Sequence, residues 1–344
     1  MKKYGRTDLI PQNIAPDGAK RICIFDTSGN KVGSVKLGRL SKPNMGSKLY
    51  TFGVLSDIHY PQDTSDTDLE KALTYLSTVA DFTCICGDLT HHGTNSELAS
   101  YKSIVDTYAG SMPVYAITGN HESYPDGLAQ GDIESRIAAY TGHPLYYSFE
   151  RGNDVFVMVG IRSNTAGELF TTAELQWLYE TLEANRNRRC FVYTHVRPDD
   201  ACGNAFGIYG TDIWDGRDKS VFESLMKHYT NCILSHAHSH LEFGLQTKDN
   251  LANIDSKFGR YSVHVSSMTV PRTGDEISAT GWNWENLFGE SEGYVVDVYE
   301  NGIHLRGRDF VKGVFLPIAS YWLDTTLQAI PAGTYKDSTG TIVT

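Results

Sequence analysis

The chain has 344 residues, of which 40% are hydrophobic and 21% charged, a composition that excludes disordered and collagen-like proteins and allows a large core. Lys and Arg number 30 against 41 Asp and Glu, and the formal charge of -11 argues against a protein that coats a nucleic-acid backbone. The basic start Met1-Lys2-Lys3 has no apolar run behind it and no stretch approaches membrane-spanning length, so a soluble chain without a membrane partner is expected, cytoplasmic or virion-associated.

In chain order, Arg21 to Phe25 and Lys31 to Leu37 flank the turn residues Asp26 to Asn30 and predict a β-hairpin, with Ser41 to Ser47 as a linker. From Leu49 a rhythm begins in which an apolar strand ends in a polar cluster and an amphipathic helix usually follows. Leu49 to Leu55 is a strand ending in Ser56-Asp57-Ile58-His59, and Asp68 to Val79 is a helix with Leu69, Ala72, Leu73 and Leu76 on one face. Phe82 to Cys86 is a strand ending in Gly87-Asp88. Thr94 and Glu97 are spaced as a capping box for the next helix. Pro113 to Ile117 ends in Thr118-Gly119-Asn120-His121-Glu122.

Asp154 to Ile161 is followed by Arg162-Ser163-Asn164, and Thr171 with Glu174 again suits a capping box. The strand Arg189 to Thr194 ends at His195-Val196-Arg197. A helix over Val221 to Tyr229 precedes the strand Asn231 to Leu234, which runs into Ser235-His236-Ala237-His238-Ser239-His240. Tyr261 to Ser266 closes the pattern, and Gly293 to Tyr299 with Gly302 to Asp309 predicts a second hairpin around Glu300-Asn301. Alternating strands and helices imply an α/β layered fold. The expected organisation is a hairpin segment over 1–47, a core over 48–270 and a β-rich extension over 271–344 packed on that core. The six cysteines lack a framework spacing and are read as small buried hydrophobes, including Cys84 and Cys86 on one strand face.

The strand ends collect Asp57, His59, Asp88, Asn120, His121, His195, His236 and His238. In open α/β sheets ligands bind beyond the carboxyl ends of strands, so scattered residues converge there. Imidazoles and carboxylates without thiolate point to divalent Mn, Fe, Zn or Ni, not to Ca or Mg with their all-oxygen shells. Asp57 and His59, like His236 and His238, flank one residue and so share a side in extended chain.

The ordered set Asp57-x-His59, Gly87-Asp88, Gly119-Asn120-His121-Glu122, His195 and His236-x-His238 resembles the calcineurin-like metallophosphoesterase superfamily, over roughly residues 49 to 270. The resemblance implies a four-layer αββα sandwich and a centre of two divalent metal ions. By motif position Asp57, His59 and His238 would hold one metal, Asn120, His195 and His236 the other, with Asp88 bridging. Such a pair, about 3.5 to 4 Å apart, supplies a bridging hydroxide for in-line attack on a phosphomonoester or phosphodiester. His121 would stabilise the transition state or protonate the leaving oxygen, and Glu122 would orient it. Ser235 stands where the family often has Gly, and His91 where it often has Asp or Asn three residues after the bridging Asp. A purple acid phosphatase would have Tyr there and would lack His59.

Arg197, Arg162 and Asn164 are candidates to grip a substrate phosphate, each weighed against an ordinary ion pair or cap. His91 is read as an exposed loop residue, His240 as packing or solvent contact, and Trp282 and Trp284 as core. The acidic balance favours a phosphorylated small molecule over duplex nucleic acid. Gly46 to Gly53 and the carboxy-terminal hairpin are also similar to phosphoesterase modules of phage and prophage minor structural proteins, which would imply virion assembly; a homo-oligomer is the other open arrangement.

Overall fold

A computed structural model describes residues 21–25, 31–36, 44–123, 130–162, 169–198, 201–203, 217–245, 253–278 and 281–336. The first two segments are β1 (Arg21–Phe25) and β2 (Lys31–Lys36), antiparallel with Arg21 opposite Lys36, as the hairpin reading requires. The turn between them lies outside the described residues.

The core begins with β3 (Lys48–Leu55), α1 (Ser65–Val79), β4 (Phe82–Cys86), α2 (Asn95–Tyr108) and β5 (Val114–Ile117). The three strands are parallel neighbours. Both halves of the Thr94/Glu97 capping box form at the start of α2. Then come α3 (Gln130–Thr141), β6 (Tyr146–Arg151), β7 (Asp154–Val159), α4 (Thr172–Ala184), β8 (Cys190–Tyr193), α5 (Arg217–His228), β9 (Cys232–His236), β10 (Ile254–Asp255) and β11 (Tyr261–His264). Thr171 and Glu174 close the second capping box. The carboxy-terminal part supplies β12 (Arg272–Ser278), β13 (Gly281–Asn286), β14 (Glu292–Tyr299), β15 (Gly302–Asp309) and β16 (Val314–Asp324).

Two six-stranded sheets result, ordered β10-β11-β9-β8-β7-β6 and β16-β15-β14-β3-β4-β5. Side chains alternate along each strand, so each sheet has two apolar faces. On β8, Phe191 and Tyr193 enter the core between the sheets, while Cys190 and Val192 face the helices. Tyr50, Phe52 and Val54 of β3 meet Phe156 and Met158 of β7 in that middle layer, where Phe52 and Phe82 stack at 5.2 Å and Phe156 and Phe191 at 4.7 Å. Outside, Leu175, Leu178 and Leu182 of α4 with Phe222 and Leu225 of α5 cover one sheet, and Leu69, Leu73 and Leu76 of α1 cover the other. Helix, sheet, sheet, helix is the αββα order.

The β-rich extension expected after residue 270 meets the core through a shared sheet. β14 pairs antiparallel with β3, Tyr294 opposite Val54 and Val298 opposite Tyr50, so the boundary runs through one continuous sheet. Hydrophobic pattern located these strands but could not say which edge they extend. A buried ion pair binds the two sheets at the end where β7 and β8 begin: Arg189 reaches Asp154 through Nε at 3.0 Å and Nη2 at 2.6 Å, and its Nη1 donates to Tyr299 O at 2.9 Å and Thr325 Oγ1 at 2.8 Å. Tyr50 Oη donates to the same carboxylate at 2.6 Å.

Candidate metal centre

The carboxyl ends of β3, β4, β5, β8 and β9 lie together, so their following loops share one region. Main-chain bonds lock the first two: Asp57 N to Gly87 O at 3.2 Å, Ile58 N to Asp88 O at 2.8 Å and His59 N to Asp88 O at 3.0 Å. The backbone marks the same residues independently. Asp57, His59, Asp88, His238 and His240 have φ of 51, 50, 50, 70 and 58°, and among described non-glycine residues only Asp63 joins them in the left-handed region. Such conformations cost about 1–3 kcal/mol each and persist where the surroundings impose them, commonly at functional sites. Gly119 is required by a close approach, since a Cβ there would collide with the Asp88 carboxylate. Gly87, at φ 92°, leaves room for His195, whose Nδ1 would lie 2.6 Å from an added Cβ.

Two groups of ligand atoms form. One oxygen or nitrogen each from Asp57, His59, Asp88 and His240 lie within 4.8 Å of one another, as do those of Asp88, His195 and His238. Asp88 belongs to both. His240 Nε2 is 3.1 Å from Asp57 Oδ1, His59 Nε2 is 3.5 Å from Asp88 Oδ2, and His195 Nε2 is 3.0 Å from Asp88 Oδ2. His195 Nδ1 donates to Cys86 O at 2.8 Å, which turns Nε2 toward the carboxylates. Asp57 Oδ1, Asp88 Oδ2, Asn120 Oδ1 and His195 Nε2 are buried, and apart from the close approaches among the clustered residues themselves they have no hydrogen-bond partner. Buried polar atoms are ordinarily satisfied, so a set of orphaned carboxylate, amide and imidazole donors converging on one place fits divalent cations.

The structure groups the histidine run two residues further along than the sequence expectation does. His238 joins Asp88 and His195, not Asp57 and His59; His240, read as packing or solvent contact, lies with that pair instead. His236 is in neither group. It is the last residue of β9, with the parity of Leu234 on the helix-facing side, and its Nε2 lies 3.6 Å from Cys202 Sγ. The alternation His-x-His-x-His offered two equivalent pairs. The strand ends at the first histidine, and only the next two follow the left-handed turn into the centre.

Charge follows this geometry. Burial opposes ionisation of Asp57 and Asp88, yet His240 and His195 beside Asp57, and His195 and His121 beside Asp88, hold both well below the usual carboxylate range. Burial also opposes a proton on His195, but Asp88 and Asp57 push its pKa up to about 9. Burial lowers His59 to about 4 and His238 to about 3, which keeps these imidazoles neutral and ready to ligate.

His121 stands at the mouth, its side chain 19% exposed, with Nε2 3.9 Å from Asp88 Oδ2. Its Nδ1 bonds to His91 O at 2.6 Å, so the His91 carbonyl orients the ring. Glu122 was expected in that role and instead braces the loops: its carboxylate accepts from Thr90 N at 2.9 Å, Thr90 Oγ1 at 3.1 Å and Gly119 N at 2.7 Å. His91 is half-buried, not an exposed loop residue, and sits with His59 and His121 in a third group of neighbouring ring nitrogens.

Arg162 is engaged away from the centre, paired with Glu174 at 2.8 Å and with Glu134. Arg197 is half-buried, and its charge bears on His236 and His264. Asn164 and the side chains of Trp282 and Trp284 lie outside the described residues. Sequence reading missed Arg136, a buried α3 residue that donates to Glu122 O at 2.9 Å and to Gly93 O. No motif marks it, because it acts on loop carbonyls from a helix whose sequence reads as ordinary.

A family model described as calcineurin-like phosphoesterase matches residues 50–242, more than half of the chain. The chain belongs to the calcineurin-like phosphoesterase family. Family membership makes it a metal-dependent phosphoester hydrolase with a phosphorylated substrate and a dinuclear divalent centre. Among solved structures, a dimetal phosphatase from Danio rerio is similar in fold, with TM-score 0.54 at 15% identity over 80% of this chain and 100% of that one. A purple acid phosphatase from yellow lupin (Lupinus luteus) superposes with TM-score 0.55 at 13% identity, over 88% of this chain and 59% of that one. No curated protein matches the chain by sequence. Among the described residues, no helix is long and apolar enough to cross a membrane.

Proposed function

We propose that this phosphoesterase hydrolyses a small phosphomonoester or phosphodiester at the cluster shared by Asp57, His59, Asp88, Asn120, His195, His238 and His240. The observation that carries the reading is that Asp88 belongs to two adjoining ligand groups while its Oδ2, with Asp57 Oδ1, Asn120 Oδ1 and His195 Nε2, is buried with no hydrogen-bond partner outside the cluster. Asp57, His59 and His240 would complete one metal position, and Asn120, His195 and His238 the other. The bound pair would acidify a water for attack on phosphorus and draw charge from the phosphoryl oxygens.

The protein's own groups account for the remaining steps. His121 donates Nδ1–H to the His91 carbonyl, which leaves Nε2 to hold a proton at the mouth and give it to the ester oxygen as the P–O bond breaks. Glu122 and Arg136 fix the loop that carries Asn120 and His121, so that loop need not reorganise during the reaction. The formal charge of -11 supports a small substrate over duplex nucleic acid. The test is turnover of p-nitrophenyl phosphate and bis-p-nitrophenyl phosphate by metal-loaded protein, in which Asp88→Asn abolishes activity. Full activity in that variant would refute the reading.

A further inference from the structure

A cleft of about 180 Å³ opens between α2, the end of α3 and β5, and none of the imidazole ligands lines it. Tyr101, Val105, Met112, Ala116 and Tyr140 form its walls, and Lys102 and Asp106, both exposed, close an ion pair of 2.6 Å beside them. An apolar cavity of about 150 Å³ is enough to hold a benzene ring, so this cleft has room for one aromatic ring and a small substituent. One polar group in the lining is unused. Tyr101 is 2% exposed, and its hydroxyl makes no hydrogen bond among the described residues, although buried hydroxyls ordinarily have a partner. Nearby Tyr147 shows the usual arrangement, with Oη donating to Ala116 O at 3.0 Å.

The surrounding charge selects against an anion. Helix α2 ends at Tyr108, so Ala109 and Gly110 bring its carbonyl-rich, partly negative end to the cleft. The Glu122 carboxylate bears on the Tyr101 hydroxyl and adds to burial in raising its pKa. The positive charge of Lys102 is taken up by Asp106. The same walls lead to the metal centre by two routes. Ala116 lies on β5 four residues before Asn120. Tyr140 lies one turn along α3 from Arg136, which donates to Glu122 O at 2.9 Å, and the Glu122 carboxylate in turn holds Gly119 N.

We propose that this cleft binds an uncharged single-ring aromatic molecule whose hydrogen-bond acceptor meets the Tyr101 hydroxyl, and that its occupancy steadies the loop carrying Asn120. A loop held from behind gives up less freedom when Asn120 takes a metal, so the two ligands strengthen each other's binding, and by linkage they do so reciprocally. The coupling rests on the metal centre proposed above, whereas the binding does not.

The test follows benzamide by ligand-observed NMR as it is titrated into the chelator-treated full chain. Saturable binding is expected, about five- to tenfold weaker in Tyr101→Phe, which removes the hydroxyl and keeps the ring. It is lost in Val105→Phe, which fills the cleft and still melts as a folded protein. Benzoate, the anion of the same shape, binds about tenfold more weakly than benzamide, and Asp88→Asn binds benzamide as the unaltered protein does. With benzamide saturating, the half-saturating Mn2+ concentration falls about fivefold or more. Absence of saturable binding, equal binding by Tyr101→Phe or of benzoate, or loss of binding in Asp88→Asn overturns the site, the last because the ring would then lie at the imidazole centre. Unchanged Mn2+ affinity in protein that binds benzamide overturns the coupling. Protein that binds benzamide but takes up no Mn2+ overturns the metal centre instead, so the two failures are told apart.

Discussion

Replacing His240 and His236 separately by Ala tests the two-residue shift in the histidine run. His240 Nε2 lies 3.1 Å from Asp57 Oδ1 and 3.0 Å from His59 Nε2, inside the ligand group. Removing even a residue that only supports a ligand costs about 10–100-fold in metal affinity, so loss of an imidazole from the group itself costs at least that. His236 is as deeply buried but contacts Cys202 Sγ at 3.6 Å, so His236→Ala should cost stability alone, about 1–3 kcal/mol. The assay equilibrates each variant with limiting Mn2+ or Zn2+, desalts it, and measures metal per chain, melting temperature and hydrolysis of bis-p-nitrophenyl phosphate. His240→Ala should hold close to one metal and lose activity while melting as a folded protein. His236→Ala should melt earlier and keep both metals. The reverse pattern would refute the geometry and restore the pairing of His236 with His238.

His121→Asn should leave both metals bound and slow turnover by about 10²- to 10⁴-fold, seen as a fall in kcat with unchanged metal content; loss of metal would make His121 a ligand. Asp154→Ala removes the partner of buried Arg189 and should cost about 3–5 kcal/mol in urea unfolding. Because that ion pair sits at the strand ends opposite the centre, metal affinity should not change. In chelator-treated protein His195 has its pKa raised from 6.5 to about 9, so its contribution is fully present below about pH 6.5 and lost as pH rises through 9. The urea midpoint should therefore fall across that window, and a flat or rising midpoint would contradict the assignment of its charge to Asp88 and Asp57.

Much of this was legible in the sequence because strand ends and metal ligands are local features. Gly87-Asp88 and Gly119-Asn120-His121 each follow a short apolar run, and the capping boxes at Thr94 and Thr171 announce their helices. What was not legible depended on a direction that periodicity does not carry. His236, His238 and His240 satisfy the same alternation, and only the point where β9 stops and the φ of 70° at His238 separate them. Strand β16 went unread because Pro317 interrupts it and its burial is irregular, consistent with an edge position where a missing N–H is tolerated. Glu122 and Arg136 act on backbone atoms of other loops, contacts that no spacing within one segment encodes.

The pairing of β14 with β3 bears on how the protein stays in solution. A chain cut after residue 270 would lack β14, β15 and β16 and would bare the hydrogen-bonding edge of β3. Tyr50, Phe52 and Val54, whose side chains back that edge, would lose Tyr294, Val296 and Val298 as neighbours in the core between the sheets. An unpaired strand with an apolar face is a template for another chain's strand, so the trimmed protein would self-associate although every proposed ligand of the imidazole centre remained in it. The last strands supply none of the proposed phosphoesterase ligands, yet they keep the catalytic half of the molecule from becoming its own aggregation partner.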